Sequence, residues 1–128
     1  MKTDINNFED IVWFVDSFYN KVQSDDLIGP VFDAVIVDWA PHLEKMYKFW
    51  NAALFGVPGF RGNPFARHAP LSLKKEHFDR WLLLFNKTVD DKFEGSMANE
   101  TKRRAQMMAE MFLDRLENRN GDATKVIV

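Results

Sequence analysis

Along the first thirty residues, apolar side chains return with the period of a helix. Ile11, Val15, Phe18 and Val22 fall at steps of four, three and four, which lines one side of a helix over about 7–23. Asn6, with Glu9 three positions on, has the form of a reciprocal capping pair at its start. Gly29-Pro30 then breaks the pattern and predicts a turn followed by a short helix. Asp38 can cap the next helix, with Pro41 tolerated in its first turn, where the early N–H groups lack intrahelical partners. His42, Met46, Phe49, Trp50 and Ala53 share one stripe of that helix, and Gly56 stops it. Residues 56–64, "GVPGFRGNP", are too rich in glycine and proline for a regular helix or central strand. After Pro70, Ser72 is the expected cap of a helix carrying Phe78, Trp81, Leu82, Phe85 and Val89, which ends before Gly95. A last helix over about 97–118 shows Ala105, Met108, Phe112 and Leu116 on one side, and the tail after about 120 is expected to fray. With no β-alternation or internal repeat, residues 1–128 predict a single all-α domain of about four longer helices and two short pieces.

Composition narrows the classes. Hydrophobic residues make up 46% and aromatic residues 14% of the chain, with 12 Phe and 4 Trp, which suits a core of large side chains and excludes a disordered chain. A net charge of -2 gives no general attraction to nucleic acid or anionic membrane, so neither is an expected partner. The absence of cysteine excludes disulfides, thiolate metal sites, Fe–S clusters and thiol nucleophiles. The opening "MKTDINNFED" lacks the apolar core of a signal peptide, and the expected location is the cytoplasm.

There is no glycine-rich phosphate loop, paired-histidine zinc helix or Glu-x-x-His pair. What remains is Tyr19, His42, His68 and Trp81, each on a different helical segment. His68 stands in "NPFARHAPL", an island of order too short for an ordinary packing helix. A porphyrin needs one axial nitrogen, an apolar slot and a cation near its rim, and His68 and Arg67 can supply the first and last. Phe18, Phe32, Met46, Phe49, Leu71 and Phe78 are available as walls, and Tyr19, Trp81 and His42 as hydrogen-bond donors to a bound gas. Taken singly, each residue also has a plainer reading, with the histidines and Trp81 as ordinary core and Arg67 as solvated surface. His77 receives no role, and the methionines near 107 read as core filler. Three readings therefore stay open: a haem site, a cofactor-free helical interaction domain, and a two-histidine transition-metal site.

The segments "FYNKVQSDDLIGPVF" (18–32), "HLEKMYKFWNAALFG" (42–56), "GNPFARHAPL" (62–71) and "HFDRWLLLF" (77–85) resemble the truncated haemoglobins of bacteria, most of all their third group. The likeness runs in unbroken order over roughly residues 8–116. It implies a truncated globin fold, a two-over-two helical sandwich around haem b, with His68 as proximal iron ligand. Tyr19, His42 and Trp81 then match the distal positions, Met46 faces the haem one turn after His42, and Phe18 and Trp50 match aromatic pocket positions. The implied ligands are O₂, NO and CO, and the implied chemistry extends to NO oxidation or peroxide activation, fed by a reductase that the sequence does not name.

Overall fold

A computed structural model describes residues 2–34, 36–58 and 73–118 of the chain. Among the described residues five helices follow one another: α1 (Phe8–Ser24), α2 (Gly29–Asp33), α3 (Trp39–Phe55), α4 (Lys75–Lys92) and α5 (Ser96–Asn118). Among the described residues the only extended pairing is an isolated parallel bridge between Thr3 and Phe93. Helix α1 packs against α2, α3 and α4, while α5 lies along α4 and touches α3. Two helices thus face two others, with α1 at the centre.

The predicted stripe of α1 is buried throughout, while those of α3 and α4 mix buried with half-buried positions. Ile11, Val15, Phe18 and Val22 of α1 are all within 2% of complete burial, and Phe14 and Tyr19 widen that face. The caps explain where each element begins. Asn7, not Asn6, starts α1: its side chain accepts the Asp10 N–H at 2.9 Å, and Asp10 accepts the Asn6 N–H at 2.8 Å. Asp38 accepts the Ala40 N–H as expected, and Gly56 ends α3 at φ 68°, a left-handed conformation that glycine adopts without a side-chain clash. Helix α4 begins later than expected. Ser72 lies outside the described residues; the observed cap is Lys74, whose N–H donates to His77 Nδ1 at 2.9 Å.

The N-terminal segment straps the α4–α5 corner. Asp4 accepts the N–H groups of Met97 and Ala98 at 3.0 and 2.8 Å, taking the part of a cap for α5 from 93 positions away. Burial alone would raise its carboxyl, but the N–H groups of Met97, Ala98 and Ile5 together hold it below its ordinary value. Gly95 is required at this corner: its φ is 133°, and a Cβ there would meet the Asp4 carboxyl carbon at 2.6 Å.

Candidate functional site

All five helices line one cavity of about 690 Å³, part of it open to solvent. Helix α1 supplies Phe14, Val15, Phe18 and Tyr19, two adjacent rows of the same helical face. Ile28 and Phe32 come from the start and body of α2, and Met46, Phe49 and Trp50 from α3. The far side is built by Leu73, His77, Phe78, Trp81 and Phe85 around α4 and by Met108, Ala109 and Phe112 of α5. The inner wall is a set of locked rings. Phe85 stacks on Trp50 (centroids 5.3 Å, 29°) and on Trp81 (5.5 Å, 19°), and Phe18 meets Trp81 and Phe85 edge-on at 5.4 and 5.2 Å. Three helices are therefore tied together by the same side chains that shape the cavity.

Polar groups on this wall are few. Tyr19 is buried, and burial pushes its phenol far above the ordinary range, so it keeps its proton and stays a donor throughout the working pH range. It makes no hydrogen bond among the described residues, while its ring is held by Phe18 (4.9 Å), Trp39 (5.7 Å) and His42 (5.0 Å). His42 is half-buried and outside the cavity wall, packed edge-on against both Tyr19 and Trp39. It backs the tyrosine. A bond from the Tyr47 hydroxyl to the Asp16 carboxylate joins α3 to α1, fixing the helix that carries His42 against the helix that carries Tyr19. Among the sequence-selected residues, Phe18, Tyr19, Phe32, Met46, Phe49, Phe78 and Trp81 all reach the cavity. His68, Arg67 and Leu71 lie outside the described residues.

The family model described as bacterial-like globin matches residues 5–115. The chain is 32% identical over 126 residues to the group 3 truncated hemoglobin ctb of Campylobacter jejuni, covering 94% of this chain and 99% of that protein. It belongs to the truncated globins. The crystal structure of the group III truncated hemoglobin from Campylobacter jejuni superposes with a TM-score of 0.82 at 33% identity, over 91% of this chain and 95% of that one. The group 2 truncated hemoglobin YjbI of Bacillus subtilis is also similar, 32% identical over 81 residues, which are 59% of each chain.

Several wall residues of this truncated globin carry no sequence signal of their own. Phe14, Val15, Ile28 and Phe85 read as generic core, and nothing in helical spacing separates a side chain that packs on a neighbour from one that lines a space. Met108 belongs to the wall, whereas Met107 and Met111 on the same helix are exposed, so the methionine cluster is one cavity residue with two surface ones rather than uniform core filler. His77 is the other addition, a polar wall residue to which the sequence assigned nothing.

One ion pair holds α4 in register with the floor of the globin cavity. Asp25 accepts the N–H groups of Leu27 and Ile28, both at 3.0 Å, and pairs with Arg80 Nη1 at 2.7 Å, next to Trp81. Burial would raise the Asp25 carboxyl; the Ile28 N–H, Arg80 and the Leu27 N–H lower it below its ordinary 3.8. A carboxyl depressed on folding adds stability that is fully present above the unfolded value and is lost as pH falls through the folded one. Asp25→Ala should therefore cost about 1–3 kcal/mol near neutrality, with the deficit shrinking below pH 4. Urea titrations at pH 7 and pH 3 check it, and an equal deficit at both would refute this role of the carboxylate.

Proposed function

We propose that this truncated globin binds haem b in the cavity, with His68 as the iron ligand, and takes up the diatomic gases O₂, NO and CO. The observation that carries the reading is the wall itself, an aromatic slot crossed by one buried, protonated phenol. Its residues fit the group. The lining is almost wholly apolar, built from Phe, Trp, Met, Leu and Ile side chains, and a flat macrocycle gains most from such walls. Haem supplies an iron that binds such gases reversibly in its ferrous state. The chain does the rest. His68 would supply the nitrogen ligand of the iron and Arg67 a cation for the propionates, while Phe32, Met46, Phe49, Leu71 and Phe78 would exclude water from the slot. Tyr19 would offer its O–H and Trp81 its indole N–H to the bound gas, and both rings are held by aromatic contacts. His42 acts behind Tyr19, limiting where the phenol can point. Two donors favour retention of O₂, which suits NO or peroxide chemistry driven by a reductase better than oxygen delivery. A reducing cytoplasm suits a chain without cysteine.

The deciding experiment is an absorption spectrum of freshly purified protein reconstituted with haem, with and without dithionite and CO. An intense Soret band that shifts on CO addition is expected. A protein that stays colourless and takes up no haem refutes the reading and leaves the helical interaction domain in its place.

A further inference from the structure

We propose that His77 anchors a carboxylate of the bound cofactor, donating from Nε2 to a haem propionate at the cavity rim. The inference rests on the haem reading above.

Two observations meet at this residue. His77 lines the cavity, and its Nδ1 accepts the Lys74 backbone N–H at 2.9 Å. A backbone N–H can only donate, so Nδ1 must be the nitrogen with the free lone pair, and in the neutral ring the proton then sits on Nε2. The cap bond fixes both tautomer and ring orientation. It leaves an N–H, not a lone pair, for the cavity side. That edge cannot serve as an iron ligand without breaking the cap, but it matches an acceptor. On a molecule that is otherwise apolar at its edge, the acceptors are the two propionates.

Position agrees with chemistry. Lys74, Lys75 and Glu76 are exposed, His77 is half-buried and Phe78 is buried, so the wall passes from solvent to interior across one helical turn and His77 stands at its mouth. A propionate placed there keeps one oxygen in water while the other takes the imidazole proton. Leu73, also on the wall, covers the apolar edge beside it.

The test compares release of protohaem and of its dimethyl ester, whose propionates are masked, to an excess of apomyoglobin. His77→Phe should lose protohaem about tenfold faster than wild type, the loss expected for one hydrogen bond to a charged group. The ester should leave both proteins at the same rate. His77→Gln, whose amide has both an acceptor for the cap and a donor for the carboxylate, should restore most of the protohaem retention. Should His77→Phe fail to fold, the wild-type CO form decides alone: the His77 Nε2–H proton should exchange slowly with protohaem bound and rapidly with the ester. Equal acceleration for both haems, or equal proton exchange with both, overturns the proposal in favour of simple packing. A changed axial-ligand spectrum in His77→Phe overturns it in favour of iron ligation. A wild-type chain that binds neither haem overturns the parent reading as well, and so is told apart from a failure at His77 alone.

Discussion

His68→Ala should purify as a folded, nearly colourless protein that takes up haem only when imidazole is added. The axial bond is the one strong directional contact assigned to the cofactor, so its loss should exceed the roughly 10–100-fold effect of groups that merely orient a metal ligand. Neither remaining histidine should substitute. His42 is packed edge-on against Tyr19 and Trp39, and His77 has its lone pair committed to the Lys74 N–H. Helical content should survive, because α1, α3 and α4 hold together through Phe14, Phe18, Trp50 and Phe85. Circular dichroism and the Soret band of the same sample separate the two effects. A normal Soret band without added imidazole would mean that another group ligates the iron.

Tyr19→Phe should raise the O₂ dissociation rate by about 10–100-fold, the worth of a hydrogen bond to a group carrying partial negative charge. The substitution is clean: it deletes only the hydroxyl and keeps the ring that Phe18, Trp39 and His42 pack around. Trp81→Phe should act in the same direction but also disturb the stack on Phe85, so its effect on stability has to be measured beside it. If both donors serve one ligand, the double mutant departs from additivity. CO, a weaker acceptor, should respond far less than O₂. Stopped-flow displacement of O₂ by CO reads these rates, and unchanged O₂ release in Tyr19→Phe would remove the phenol from the mechanism.

Helix spacing made much of this architecture legible, because α1 and α3 have unambiguous apolar stripes and hard stops. Gly56 is a case in point: a glycine just past the last stripe residue has one natural conformation there, and the chain adopts it. Starts were less legible. Asn6, with Glu9 three positions on, was the expected cap of α1, but the cap falls one residue later, where Asn7 accepts the Asp10 N–H. At α4 the chain uses a histidine ring as the reciprocal acceptor, a part more often played by Glu or Gln, and the expected Ser72 start missed it. The site divides in the same way. Tyr19, Trp81 and the phenylalanines are conspicuous as residue types, and the resemblance to truncated haemoglobins located them together. Phe85 and Met108 belong to the wall only because particular helices cross at particular places, which periodicity along one helix does not encode.

The bond from Asp4 to the start of α5 links segments 93 positions apart through a few atoms of one carboxylate. Shortening or re-tagging the protein at its beginning should therefore be felt at a distant corner: without that clasp, the helix bearing Met108 and Phe112 loses the anchor of its first turn and keeps only its packing on α4 and α3. Ligand affinity measured on trimmed versions would report the quality of this distant fastening as much as the chemistry at the iron.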